Sequence, residues 1–379
     1  MHFRSAFLIG CLVVAGPVHA AQTKAPNPAK TTGAKATVIA KGLVNPWGMQ
    51  FLPDGRIIIT ERPGAIRIID KDGTVSKPLN GAPKVLARGQ GGMLDVALTP
   101  DFATSRTLFI SFSEPRGGAR SGTSIARARL VGSTGGDRLE DLRVIFRQQP
   151  ASGGGLHFGS RLAIAPDGKL FVTLGERGRK FMAQDAKTHF GKVVRINPDG
   201  SVPSDNPFVG QGGSQPHLWS IGHRNPQAAA IHPQTGKLWT VEHGARGGDE
   251  INIPQSGRNY GWPVITYGRD YSGAKIGVGT RRAGMEQPVY YWDPSIAPSG
   301  MAFYSSDRFP QWQGSLFVGA LRARHLARLV LDGNKVVAEE VLLENVGSRI
   351  RDVRQGPDGA IYVLTDSRNG RLLRVEPAK

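Results

Sequence analysis

The stretch Ala165-Pro166-Asp167-Gly168-Lys169-Leu170-Phe171-Val172-Thr173-Leu174 decides the fold. Proline sets φ at the turn, glycine supplies the positive φ that reverses the chain, and the apolar runs on either side supply two strands. The result is a β-hairpin. The same phrase recurs at Phe51-Leu52-Pro53-Asp54-Gly55 and Gly356-Pro357-Asp358-Gly359, each leading into an apolar run. Looser copies are Thr99-Pro100-Asp101-Phe102, His232-Pro233-Gln234-Thr235-Gly236 and Phe309-Pro310-Gln311-Trp312-Gln313-Gly314. Their spacing suits four-stranded blades with insertions, so the chain is expected to be all-β, a six-bladed β-propeller. A strand from Ala36 to Ala40 precedes the first hairpin and one from Arg371 to Val375 follows the last. Pairing these ends in one blade would close the ring and remove its open edges. No long stretch has a helical period, so a single propeller domain over 36–379 is expected rather than two domains.

The first residues read as an export signal over 1–20. Arg4 gives the positive start, Ala6 to Ala15 the apolar stretch, and Val18-His19-Ala20 the cleavage site. The apolar run is too short to span a bilayer. A periplasmic or secreted protein follows, without a membrane span. The competing reading is a lipoprotein anchored at Cys11, from Leu8-Ile9-Gly10-Cys11. Against it, the apolar run continues past that cysteine. Cys11 is the only cysteine, so the mature chain has no disulfide and no thiol chemistry. Residues 21–35, rich in Pro, Ala, Thr and Lys, read as a flexible lead-in.

The formal net charge of +18 could draw nucleic acid or an anionic surface. The basic residues are scattered and no aromatic-basic stripe appears, so no nucleic-acid partner is expected. A monomer or a homodimer fits the chain equally.

In a propeller the first strand of each blade lines a central channel, and function lives in the loops at its mouth. The unusual polar residues fall just before those strands: Gln90, His157, Arg224, Asn225, Ser299, Arg349 and Arg351. Superposed blades would bring them to one rim. A lone histidine is more often structural than catalytic. His157, however, follows the flexible run Ser152 to Gly155, which lets backbone approach a ligand. Arg349 and Arg351 alternate on one face and repel unless an anion joins them. Salt bridges to Asp352 or Glu344 would satisfy them equally well. The segment Glu242-His243-Gly244-Ala245-Arg246-Gly247-Gly248-Asp249-Glu250 mixes carboxylates with flexible backbone, as calcium loops do. It lacks EF-hand spacing, and His223, His232 and His243 form no zinc pattern.

Six ordered motifs carry a family resemblance: Gly89-Gln90-Gly91-Gly92, His157-Phe158-Gly159-Ser160-Arg161-Leu162, Gly222-His223-Arg224-Asn225-Pro226-Gln227, Asp249-Glu250-Ile251-Asn252 with Asn259-Tyr260-Gly261-Trp262-Pro263, Tyr290-Tyr291-Trp292-Asp293-Pro294-Ser295, and Arg349-Ile350-Arg351-Asp352-Val353. From Gly42 to Val375 the chain resembles the soluble aldose sugar dehydrogenases that use pyrroloquinoline quinone (PQQ), relatives of soluble quinoprotein glucose dehydrogenase. The resemblance implies PQQ lying at the channel mouth on Ca2+. It implies His157 as general base toward an aldose sugar substrate, oxidised at C1 to the lactone, with electrons passing on to an external electron acceptor. Arg224, Arg322, Arg349 and Arg351 would face the carboxylates of the cofactor, with Gln90 and Asn225 as hydrogen-bonding partners. The carbonyls of Gly244 and Ala245 would hold the calcium, and a second calcium would map to Glu250 and Tyr260. Relatives can carry an acid just before the base; here Leu156 stands there, which leaves His157 without an evident orienting group. The alternatives are a calcium-dependent propeller lactonase or hydrolase, or a non-catalytic binding propeller. Neither needs a base beside a cationic cradle.

Overall fold

The computed structural model describes residues 22–132 and 136–378; Cys11 and the residues read as an export signal lie outside them. Among the described residues twenty-three strands form six sheets arranged as the blades of a propeller. The innermost strands are Pro46–Phe51, Met93–Leu98, Gly159–Ile164, Pro226–Ile231, Pro298–Phe303 and Ile350–Gln355. Blades are numbered from one to six in that order. All six turn motifs join the first strand of a blade to its second.

The ring closes in blade 6. Lys35–Leu43 pairs antiparallel with Gly370–Glu376, setting Ala36 opposite Val375 and Ala40 opposite Leu372. Residues before Lys35, read as a lead-in, are tied to blades 4 and 5. The Ala25 amide donates to the Tyr290 hydroxyl (3.0 Å), the Glu339 amide donates to Pro26 O (3.0 Å), and Thr32 N donates to Glu340 (2.6 Å). Blade 1 has three strands, not the expected four. Residues 75–79 run beside its third strand with only local bonds, Ser76 N to Ile68 O and Leu79 N to Ile66 O. Pro78 lacks the amide a regular fourth strand would need there.

Apolar clusters fill the spaces between blades, as in the packing of Ile58, Ile68, Val96 and Ile110 between blades 1 and 2. The channel axis is different: it is closed by charge. Fully buried Arg161 bonds Asp95 (3.1 Å) and Asp352 (2.9 Å), and donates to the carbonyls of Gln227 (2.8 Å) and Arg351 (3.0 Å). Its guanidinium lies over the Trp47 ring at 4.1 Å. Arg354 bonds the same two aspartates. Inner strands of five blades thus meet on one side chain. Gly48 and Gly300 are needed here, since a Cβ at either would strike Asp95 or Asp352.

Candidate active site at the channel mouth

His157 ends the loop entering blade 3 and adopts φ 49°, a left-handed conformation that a non-glycine residue keeps only when its surroundings hold it. Three contacts do so. The His157 amide donates to Gln90 Oε1 (2.8 Å), and the Gly159 amide donates to Asn225 Oδ1 (3.1 Å). Gly175 packs so closely beneath that a Cβ there would collide with the His157 carbonyl. Gln90 and Asn225, expected as hydrogen-bonding partners of a cofactor, therefore already carry the backbone around the histidine. Buried Arg177 fastens the preceding loop: its Nε donates to Leu156 O (2.9 Å), and its guanidinium stacks on Phe158 at 3.7 Å.

The orienting group that the sequence left open is Glu176. Its Oε1 lies 2.6 Å from His157 Nδ1, and both residues are buried. A carboxylate only accepts, so Nδ1 carries the proton and Nε2 keeps its lone pair. Burial holds the imidazole below its ordinary range; Glu176 pulls it back up, while Arg224 and Arg177 push it further down. A neutral ring near the mouth is what proton abstraction requires.

Around this base the structure gathers three of the four expected arginines closely. Arg224 donates to His243 O (3.2 Å) and stacks over Trp262 at 5.2 Å. Arg351 donates to Gln227 (3.0 Å) and Asp366 (2.7 Å). Arg349 is exposed and reaches Asp366 at 3.7 Å. Asp366, not Asp352 or Glu344, is the acid between the two arginines. Burial alone would push its carboxyl up, but Arg351 and Arg349 hold it down. One carboxylate for two guanidinium groups leaves a positive excess. Gln90, Arg349 and Arg351 line a cavity of about 230 Å³ with Trp47 and His243. Arg322 sits beside it, exposed, and donates to Ser295 O at 3.4 Å. Ser299 does not join the rim; its buried hydroxyl lies between the carbonyls of Gly319 (3.0 Å) and Ile350 (2.6 Å).

Two tests bear on bound groups. Buried Arg224 Nε, Arg351 Nε and Asn225 Nδ2 have no hydrogen-bond partner among the described residues. Buried polar atoms are nearly always satisfied, so three orphan donors beside one another fit an anionic ligand with several acceptors. Glu242 and Glu250 form the second case. Both are bridged by Asn252 (3.0 and 3.2 Å), and burial and the Glu242 charge push Glu250 up to about 8. Carboxylates crowded like this fit a cation. Gly244, Glu250 and Tyr260 line the narrow space next to them. Ala245 is buried on the same turn, whose Gly244 amide donates to Asp249 (2.8 Å). The Tyr260 hydroxyl is committed elsewhere, to Ile253 O at 2.6 Å, and its ring stacks on His223 at 4.8 Å. Among the described residues no group of three or more His, Cys, Asp or Glu side chains is placed to hold a metal.

Residues 43–374 match the family described as Glucose / Sorbosone dehydrogenase. The chain is 46% identical over 380 residues to the aldose sugar dehydrogenase YliI of Escherichia coli, covering 100% of both. Among solved structures, the apo-form of the soluble aldose sugar dehydrogenase from Escherichia coli superposes with a TM-score of 0.88 at 47% identity, over 91% of this chain and 100% of that one. The PQQ-bound form of an aldose sugar dehydrogenase from Streptomyces coelicolor superposes with a TM-score of 0.75 at 30% identity, over 92% and 100%.

Proposed function

The chain belongs to the glucose/sorbosone dehydrogenase family, and from that premise we propose that it oxidises aldose sugars at C1 to the lactone with calcium-bound PQQ. The observation that carries the reading is the neutral, Glu176-held His157 beside three orphaned donors at the channel mouth. When bound, PQQ on calcium supplies the acceptor for a hydride and hence for two electrons. His157 Nε2 takes the proton of the anomeric hydroxyl, and Glu176 stabilises the imidazolium as that charge develops. Arg224, Arg349 and Arg351, with Arg322 at the edge, meet the cofactor's carboxylates; Gln90 and Asn225 place their remaining amide donors beside them. The carbonyls of Gly244 and Ala245 hold the calcium, and Glu250 with the Tyr260 backbone forms a second cation site. Trp47 and Trp262 stiffen two of the arginines by stacking. We read the protein as exported, the compartment the first residues suggest. Among the described residues no helix is long and apolar enough to cross a membrane.

A lactonase would not need the orphaned cationic rim. The test is reconstitution of purified apoprotein with PQQ and Ca2+, followed by reduction of an artificial dye with a panel of aldoses. Sugar-dependent dye reduction that requires both additions supports the reading. No reduction, with an unchanged quinone absorption spectrum, refutes it.

A further inference from the structure

The turn end of the propeller, opposite the channel mouth, carries a cavity of about 570 Å³, more than twice the 230 Å³ of the one at the mouth. It lies between the hairpin turns of blades 3 and 4, which touch at Pro166 and Gly236, and the start of the long insertion at 253–256. One wall is apolar and rigid. Half-buried Trp219 meets buried Phe171 edge to face at 5.3 Å, and its Nε1 donates to Pro254 O (3.1 Å). Ile253 and Pro254 extend that wall.

The polar lining is centred on Arg195. Its side chain is only 5% exposed, and its guanidinium lies over the Trp219 ring at 4.8 Å. Nη2 donates to Asp205 (2.6 Å) and lies 3.8 Å from Asp167. Nε and Nη1 have no acceptor among the described residues. Buried donors are nearly always satisfied, so this guanidinium calls for oxygen atoms in the cavity. Asp205, with its side chain 64% exposed, keeps lone pairs free beside it.

Charge limits the ligand. Arg195 is matched by Asp205, and Asp167 is paired with Lys169 (2.8 Å) just outside. Lys237 is the lining cation left without a carboxylate partner among the described residues. An anion would meet two carboxylates, and a cation would meet Arg195 and Lys237. A neutral ligand avoids both penalties. It must offer hydroxyl groups to a fixed donor–acceptor pair and an apolar face to the aromatic wall. A pyranose ring does both, because its hydroxyls donate and accept at the edge while its C–H groups form the face. Water would satisfy Arg195 but leave the aromatic wall wet. Gln255 and Asn334 stand exposed at the rim, and their side-chain amides make no hydrogen bond among the described residues. The volume falls in the range of small-molecule sites, about 300–1,000 Å³.

We propose that this cavity is a second saccharide-binding site, taking one or two neutral pyranose units at the end of the propeller away from the site of oxidation. The inference does not depend on the sugar-oxidation reading. A glycan held at the turn end leaves the channel mouth open, so the protein can be tethered to a saccharide and still admit substrate.

The test titrates 15N-labelled protein with methyl β-D-glucopyranoside and methyl β-cellobioside. Their anomeric oxygens are methylated, so they offer no hydroxyl to His157 and are not oxidised. The six tryptophan indole N–H signals report where binding occurs, and Trp219→Phe assigns the one that matters. The expected result is a saturable shift of the Trp219 signal with one or both glycosides. Two variants at exposed positions check the cavity. Ser256→Trp fills it, and Asp205→Ala removes the acceptor beside Arg195; each is expected to raise Kd by about tenfold or more. Dye turnover of the holoenzyme with an aldose is measured in parallel and is expected to match wild type in both variants, which also shows that they fold. A Trp219 signal that stays in place with both glycosides overturns the proposal. So does an unchanged Kd in either variant, or an equal shift with glycerol, which would mark an unspecific polyol site. Absence of dye turnover in the wild type would refute sugar oxidation, while the indole titration would still decide the cavity.

Discussion

Replacing Glu176 by glutamine removes one negative charge beside His157 while keeping the size of the side chain and an oxygen able to accept from Nδ1. The carboxylate bond is 2.6 Å and buried. A full imidazolium with its charge centre about 4 Å from the carboxylate would be stabilised by about 4 kcal/mol at an effective dielectric constant of about 20. Half of that charge at the transition state corresponds to about 2 kcal/mol, or about 30-fold in kcat/KM. The acid limb of the pH profile supplies an independent readout. Burial sets His157 below its ordinary range, and Glu176 is the main group pulling it back up. The base works only when neutral, so activity falls as pH drops through its pKa. Without the carboxylate that pKa moves lower still, and the acid limb shifts to lower pH even as the plateau falls. The assay is kcat/KM against pH for the reconstituted enzyme with an aldose and a dye. A plateau within twofold of wild type, or an acid limb that stays in place, would refute the role given to Glu176.

Three further outcomes follow from the geometry. Gly175→Ala forces His157 off its position, and a displacement near 1 Å at a reacting group costs about 10²-fold in kcat, with unchanged far-ultraviolet circular dichroism; full activity would show that the loop yields freely. Arg351→Ala removes a charge-assisted contact worth about 1.5–3 kcal/mol, so PQQ titration of the apoprotein should show Kd raised by about 10- to 150-fold, and an unaltered titration would contradict the cradle. Arg161→Leu leaves Asp95 and Asp352 buried with Arg354 alone, and urea melts should record about 3–5 kcal/mol less stability; a loss under about 1 kcal/mol would mean the axial network does not hold the blades together.

The architecture was legible because its signal is local. Proline, aspartate and glycine at the turns act within four residues, and each of the six turns sits between the first and second strands of its blade. Ring closure was legible for the same reason: two short apolar runs at the ends of the repeat had no other partner. What could not be read were the places where the repeat is interrupted. The fourth strand of blade 1 is lost at Pro78, whose effect depends on which neighbour it faces. The insertion from Ile253 to Val289 leaves its blade at the turn end and returns to the mouth along blade 3 through backbone bonds that have no sequence signature. The axial charge network was hidden too, because Arg161, Asp95 and Asp352 lie far apart in sequence and meet only when the ring closes.

Glu176 had a signal that needed the register of the blades to be seen. The second strand of blade 1 ends at Glu61, that of blade 4 at Glu242, and that of blade 6 is followed by Asp366. In blades 1 and 4 the carboxylate grips the backbone entering the inner strand, and in blade 6 a side chain on that strand. Glu61 accepts from the Val44 amide (2.8 Å), Glu242 from the Arg224 amide (2.7 Å), and Asp366 from Arg351 (2.7 Å). In blade 3 the carboxylate comes two residues later, at Glu176 beyond Leu170–Leu174. Its partner there is an imidazole, where Glu61 and Glu242 hold a backbone amide and Asp366 a guanidinium. The proposed catalytic pair is thus a variation on a carboxylate clamp that blades 1 and 4 make to backbone, with a histidine side chain as its partner in blade 3. The same clamp explains why the base is held without an acid at position 156. The carboxylate arrives from the neighbouring strand, where the hairpin register puts it, rather than from the preceding residue in sequence.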